Sequence, residues 1–265
     1  MILWIAGCNG LVGSALRKNH PQALATSHTE VDISSSEQVK KFVDTCAITH
    51  IINCAAYTNV DQAEKEPHLA HATNAVGPEN LGRVAAQNKI HLLHISTDYV
   101  FDGKKQAPYT ETDPCSPINV YGKTKYEGEQ RLLATHPDAC IVRTSWVFGP
   151  GGKTFVSTLL EKQSPISVVS DQVNRLTYVF DLAKALVFLL PHSGIFHFAN
   201  RGATSRYEIA KKLLPHKIVT PVSSSTFFHA APRPLYSVLD TTKIEKLGLQ
   251  PRPWQEAIEE FLHEM

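Results

Sequence analysis

Tyr121 and Lys125 stand at the two ends of Tyr121-Gly122-Lys123-Thr124-Lys125. On a helix, positions i and i+4 share a face, so the phenol and the ammonium would point the same way. A positive charge beside a phenol stabilises its anion, which would lower the phenol pKa from about 10 toward the working range. Upstream, His94-Ile95-Ser96-Thr97-Asp98-Tyr99-Val100-Phe101 closes an apolar run of Ile90, Leu92, Leu93 and Ile95 and reads as the end of a buried strand. A hydroxyl there, from Ser96 or Thr97, could hydrogen-bond the same reacting oxygen. Together these groups would make a general acid for a carbonyl becoming an alcohol. The spacing alone does not single out the pair. Tyr207 and Lys211 repeat it, but no hydroxyl-bearing strand end precedes them, and they are not read as catalytic.

The elements that must position these groups follow from the order of the chain. Ile2 to Ala6 is a short apolar run, as in a buried parallel strand. It runs into Gly7-Cys8-Asn9-Gly10-Leu11-Val12-Gly13 and then Ser14-Ala15-Leu16-Arg17. Glycines at i, i+3 and i+6 between a strand and a helix permit the turn, let a pyrophosphate approach the helix N-terminus, and let the helix pack on the strand. This predicts nucleotide binding. A second strand, Ala23 to Ser27, ends in Thr26-Ser27-His28, with no carboxylate before Glu30 and Asp32 and no Arg. A carboxylate at this strand end repels a 2′-phosphate, so its absence leans to NADP. Asp32-Ile33-Ser34 is expected to cap a helix from Ser35 to Cys46. His50 to Tyr57 reads as a third strand whose small residues Cys54, Ala55 and Ala56 would bring the chain against a flat ligand. A largely helical stretch, Glu64 to Asn88, carries breaks or first turns at Pro67 and Pro78. Asn74 within it either braces the site loop or faces solvent.

Pro108, Pro114 and Pro117 mark an irregular loop before a helix from Tyr121 to Thr135 and a strand from Ala139 to Thr144. Trp146 lies just beyond that strand, where open α/β sheets bind ligands. It would stack on a sugar or base, or lid the core. The alternation predicts an α/β fold with a doubly wound parallel sheet of Rossmann type over residues 1–150. Residues 151–265 read as a small substrate lobe, parts of which return to the core. Its expected elements are a helix at Phe155 to Glu161, a strand at Ile166 to Val169, a helix at Val179 to Leu190 and a strand at Ile195 to Phe198. Terminal helices are expected at Ser205 to Leu214 and Trp254 to Met265.

Composition excludes little but is consistent. The 265 residues are 43% hydrophobic and 19% charged, with a net charge of +1, so nothing electrostatic argues for nucleic acid or a membrane surface. The 13 His residues are scattered and show no metal-ligand spacing, so no metal site is expected. Five Cys without recurring spacing suggest reduced thiols in a cytoplasmic protein. The chain opens with Met1-Ile2-Leu3-Trp4-Ile5 and goes straight into the Gly-rich loop, so neither a signal peptide nor a transmembrane span is expected.

With these residues in place, the chain resembles the extended short-chain dehydrogenases, and among them the dTDP-4-dehydrorhamnose reductase family. The resemblance is carried by the Gly7/Gly10/Gly13 loop, by Asn53-Cys54-Ala55-Ala56-Tyr57-Thr58-Asn59-Val60-Asp61-Gln62-Ala63-Glu64, and by Ser96-Thr97-Asp98-Tyr99-Val100-Phe101-Asp102-Gly103. Tyr121-Gly122-Lys123-Thr124-Lys125-Tyr126-Glu127-Gly128-Glu129, Arg143-Thr144-Ser145-Trp146-Val147, Arg233-Pro234 and Leu239-Asp240 complete it. The resemblance implies Tyr121 as proton donor, Lys125 holding the nicotinamide ribose and lowering the Tyr pKa, and Thr97 supporting the phenol. It implies that Gly7, Asn9, Gly10, Leu11, Val12, Gly13, Asp32, Ile33, Ala55, Ala56, Tyr57 and Thr58 face the cofactor, NADPH or alternatively NADH. It also implies that Thr97, Asp98, Tyr99, Thr58, Val60 and Trp146 face the sugar. The implied reaction is hydride transfer to the C4 ketone of a nucleotide-linked 6-deoxyhexulose.

The chain departs from the family pattern at two places. Asp171-Gln172-Val173-Asn174-Arg175-Leu176-Thr177 stands where the family usually has Asp-Gln-x-Gly-x-Pro-Thr, which leaves the sugar open. Ala15 stands where some members carry a Glu used in a metal-linked dimer, so that metal-linked dimer is not implied, while a homodimer of another kind stays open. Two other functions share these motifs: a nucleotide-sugar epimerase or dehydratase, and a cofactor-binding regulatory subunit of the methionine adenosyltransferase type.

Overall fold

The computed structural model describes residues 1–264. Strand β1 (Leu3–Ala6) leads through the Gly loop into helix α1 (Leu11–Asn19). Then come β2 (Leu24–Thr26), α2 (Ser36–Thr45), β3 (His50–Asn53), the short helices α3 (Val60–Ala63) and α4 (Pro67–His71), a π-turn at Ala72–Val76, and α5 (Gly77–Asn88). β4 (His91–Thr97) ends in a 3₁₀ turn at Asp98–Val100, and a long loop leads to α6 (Val120–Thr135) and β5 (Cys140–Thr144). The remainder holds β6 (Val147–Phe148), α7 (Phe155–Glu161), β7 (Ile166–Val169), β8 (Val173–Arg175), β9 (Thr177–Tyr178), α8 (Val179–Leu189) and β10 (Gly194–His197). It closes with β11 (Ala203–Ser205), α9 (Arg206–Leu213), β12 (Val219–Val222), α10 (Thr242–Lys246) and α11 (Trp254–His263).

Six strands form one sheet in the order β10-β5-β4-β3-β1-β2. Every neighbouring pair in it is parallel. Period-two alternation sends β1 side chains to opposite faces. Leu3 and Ile5 pack with α1 and α8 through Leu16, Leu182 and Leu186. Trp4 and Ala6 pack on the other face with Val39, Leu81, Leu92 and Ile141. Helices on both faces make this the doubly wound architecture, with β10 returning from the later half of the chain to the sheet edge beside β5. A separate cluster of Phe148, Leu159, Ile166, Val168, Tyr178, Ile209, Trp254 and Phe261 holds the β6–β9 and β7–β12 pairs together with α7, α9 and α11, and β8 pairs with β11 beside it.

The structure corrects several sequence expectations. Helix α2 is capped by Ser35, whose side chain accepts from Gln38 N at 3.4 Å. The Asp32 carboxylate instead accepts from Ser34 N at 2.9 Å and Ser34 Oγ at 2.7 Å. The strand expected to run to Tyr57 stops at Asn53. Of the two readings of Pro67 and Pro78 the first-turn one holds: Pro67 opens α4, and Pro78 sits in the first turn of α5, directly after the π-turn, where its missing N–H is not needed. The three two-stranded pairs of the lobe were not all foreseen, because strands of two to four residues are too short to show alternation. The expected end of the last helix at Met265 lies outside the described residues. All five cysteines are free thiols. Among the described residues no helix is long and apolar enough to cross a membrane.

Candidate active site

The carboxyl ends of β1, β3, β4 and β5 open onto a trench of adjoining clefts. Gly7 takes φ 81°, and a Cβ there would lie 2.5 Å from Ala55 N, so the loop after β1 presses on the loop after β3. Gly13 packs as closely, with its missing Cβ 2.3 Å from Gly7 O, which seats α1 on the loop. Beside this cradle lies a cleft of about 550 Å³. Gly7, Asn9, Gly10, Asp32, Ile33, Ala55, Ala56 and Tyr57 line it, together with Ser27 and His28 at the end of β2. Glu30 is exposed and turned onto Ser27, accepting from its N and Oγ at 2.7 Å each. Backbone N–H groups at a helix start and a wall of small residues fit a dinucleotide. Asn74 is fully buried and braces this wall, accepting from Tyr57 N at 2.8 Å and donating to Tyr57 O at 3.1 Å.

Gly10 and Ala56 also border a second cleft of about 410 Å³. Here the structure brings together Leu11, Val12, Thr58, Thr97, Asp98, Tyr121, Lys125 and Trp146. Asn119 caps α6 by accepting from Gly122 N at 2.8 Å, which fixes Tyr121 in the first turn and Lys125 one turn on. Lys125 is 1% exposed. Its Nζ donates to Ile95 O at 2.6 Å and lies 3.1 Å from His94 Nε2. Burial lowers its pKa to about 8, against the opposing pull of Glu129 and Cys54.

The expectation that Lys125 acidifies Tyr121 is not met. Burial dominates and pushes the phenol well above its usual value, with the Thr97 hydroxyl pulling it partly back. Tyr121 is therefore held as a neutral O–H. Thr97 donates to Asp98 Oδ1 at 3.1 Å and accepts from Tyr99 N at 3.2 Å. Ser96, the other hydroxyl at the strand end, donates to Glu129, whose carboxylate also receives Arg143 Nε at 2.9 Å and Nη2 at 2.6 Å.

Two further residues expected at the sugar lie close to this cleft without lining it. Tyr99 is 9% exposed and stands beside Tyr121 with its ring edge-on at 5.8 Å. Val60 opens α3 and is absent from the lining of the cleft that holds Thr58 and Tyr121. Trp146 sits at φ 40°, a strained conformation for a bulky residue, and such strain concentrates at functional sites.

Sequence reading missed Arg206. Its guanidinium lies over the rings of Trp146 at 4.7 Å and Phe155 at 4.6 Å. Ser205 and Glu208 form a capping box that puts Arg206 at the first position of α9, where a cation opposes the helix dipole. That conflict was the available signal. Arg206 also borders a further cleft of about 380 Å³ with Lys162, Phe227, His229 and Arg233. Arg233 is clamped to Asp61, its Nη1 and Nη2 lying 2.9 and 2.6 Å from the two carboxylate oxygens.

The family model of the RmlD substrate binding domain matches residues 1–265. The chain is 42% identical to the dTDP-4-dehydrorhamnose reductase of Mycolicibacterium smegmatis, over 97% of this chain and 83% of that one. It is 36% identical to the dTDP-4-keto-6-deoxy-D-glucose reductase of Streptomyces niveus, over 96% and 94% of the two chains. A crystal structure of dTDP-4-dehydrorhamnose reductase from Bacillus anthracis in complex with NADP matches with a TM-score of 0.95 at 38% identity, over 100% of both chains. With its fold, its Gly-loop cradle and its whole length accounted for, the chain belongs to the RmlD substrate binding domain family.

Proposed function

We propose that this chain is an NADPH-dependent reductase that reduces the C4 ketone of a dTDP-linked 6-deoxyhexulose, forming dTDP-L-rhamnose or a closely related dTDP-6-deoxy sugar. The observation that carries the reading is the convergence of Tyr121, Lys125 and Thr97 in a cleft that adjoins the Gly-loop cleft. The NADP complex of the Bacillus anthracis relative and the names of the two dTDP-sugar reductases point the same way.

The Gly7–Gly13 loop would receive the pyrophosphate, Asp32 and Ile33 the adenosine end, and Lys125 the nicotinamide ribose. The bound nicotinamide supplies the hydride chemistry. Tyr121, a neutral phenol in the ground state, gives its proton to the oxygen that gains negative charge as the ketone becomes an alcohol. Thr97 holds the phenol side of that oxygen. Thr58 and Trp146 flank the sugar, and Arg206, Arg233 and Lys162 offer positive charge to the diphosphate in the adjoining lobe cleft.

The test is direct. Purified protein with NADPH and dTDP-6-deoxy-L-lyxo-4-hexulose is expected to consume the reduced-nicotinamide absorbance. Bound NADPH without any oxidation, with this sugar and its dTDP-4-keto relatives, would remove the reductase reading.

A further inference from the structure

Arg206 stands where the lobe clefts approach the one that holds Tyr121. Its guanidinium lies over Trp146 and Phe155, and among the described residues it has neither a hydrogen-bond nor an ion-pair partner. Burial lowers its pKa, Tyr99 and Asp98 pull it back, and Arg233 adds to the fall. Cation–π attraction holds the group in place without using its five N–H donors. At the first position of α9 the cation also faces the positive end of the helix dipole. A bound anion would answer both conditions.

Trp146 is shared between two clefts. One is the cleft with Thr97, Tyr121 and Lys125. The other, of about 230 Å³, is lined by Trp146 together with Arg206 and Phe155. The backbone of Trp146 is pinned from the lobe. Its carbonyl accepts from Thr177 N at 3.2 Å, and the Ser145 hydroxyl before it donates to Arg175 O at 2.7 Å. Phe155 opens α7, and Thr154, which caps that helix, lines the Tyr121 cleft. Arg206 thus touches the two rings that border the sugar end while its free donors face the lobe end.

We propose that Arg206 is a positioning residue that couples the two ends of the substrate. A diphosphate that accepts from its N–H groups fixes the guanidinium, and the guanidinium fixes the Trp146 ring beside the sugar. Binding at the non-reacting end is thereby used to orient the ketone toward Tyr121. The neighbouring cations act differently. Arg233 is clamped to Asp61, and Lys162 is exposed. Among the described residues, no other cation lies over Trp146.

The inference rests on reading the lobe cleft as the diphosphate end of the substrate. Its first test needs no turnover. dTDP alone, titrated into the protein with NADP⁺, is expected to shift the emission of Trp146, taken as the difference from Trp146→Phe. In Arg206→Met, at dTDP saturation established by calorimetry, that shift is expected to vanish, and kcat for the dTDP-4-keto sugar to fall about tenfold as KM rises. Arg206→Lys keeps the charge but not the planar group, and is expected to recover KM without recovering kcat. Trp146 emission that stays put at every dTDP concentration overturns the inference. So does a full kcat in either variant, which leaves the reductase reading intact. Absence of NADPH oxidation in the unsubstituted protein removes the reductase reading instead, and the dTDP titration still decides the coupling. The unsubstituted protein and Arg206→Lys decide it if Arg206→Met does not fold.

Discussion

Asn174 Nδ2 donates to Asp98 Oδ2 at 2.7 Å, joining β8 of the lobe to the turn that follows β4. Ser237 Oγ donates to the same oxygen at 2.6 Å, and Asn174 also reaches Ser237 at 2.8 Å. Asn174 occupies the position where the family usually has Gly, so this chain ties the residue next to Thr97 to its lobe by a side chain that a Gly would not supply. Asn174→Gly removes one buried hydrogen bond to a carboxylate, worth about 1.5–3 kcal/mol. Urea unfolding should show a loss in that range, and an unchanged midpoint would mean that the contact carries no stability.

Asp98 is 2% exposed, and burial raises its pKa from 3.8 to about 6 despite its three hydrogen-bonding neighbours. A raised carboxyl pKa means that the folded state holds the proton more tightly than the unfolded one. The folded protein is thus destabilised progressively as pH rises through the window between 3.8 and about 6. The shift of about two units sets an upper bound of about 3 kcal/mol. Asp98→Asn, compared with the unsubstituted protein by calorimetry, should gain in relative stability from pH 4 to pH 7. A pH-independent difference would contradict this.

The Asp61–Arg233 clamp fixes the loop that borders the lobe cleft to the start of α3. Arg233 lowers the Asp61 pKa to about 2, helped by Ala231 N at 3.0 Å. This contribution is fully present above the ordinary carboxyl value and is lost as pH falls toward 2. The carboxylate is 40% exposed, so solvent screening keeps its energy to about 1 kcal/mol. Asp61→Asn is expected to raise KM for the sugar nucleotide about fivefold with kcat nearly unchanged. A fall in kcat at constant KM would place the clamp in the chemical step instead.

Gly13→Ala tests the cradle. The added methyl would lie 2.3 Å from Gly7 O, so α1 must shift away from the loop. Overpacking of this kind costs about 1–3 kcal/mol, and NADPH titration by fluorescence should show affinity reduced at least about tenfold. Native affinity in the variant would mean that the loop does not hold the dinucleotide.

Much of this was legible in the chain because it is local. The Gly spacing after an apolar run, the alternation of strand and helix, and Tyr121 with Lys125 at one helical turn are properties of short segments. Three things were not. Lys125 could be placed on a helix face, but its contacts with Ile95 O and His94 depend on how β4 packs under α6, so the acidified phenol was the wrong expectation. Arg206 comes from α9, far along the chain from Trp146, and only folding stacks them. Tyr99 belongs to the matching motif, yet the 3₁₀ turn sets it edge-on beside Tyr121.

The central claim is that Tyr121 donates the proton from a site whose cofactor cradle is built by other residues. The measurement is the pair of NADPH affinity and turnover in Tyr121→Phe. Affinity should stay within about twofold while turnover of the dTDP-4-keto sugar falls by about two to four orders of magnitude, the range for a lost general acid. Turnover equal to that of the unsubstituted protein would contradict the account.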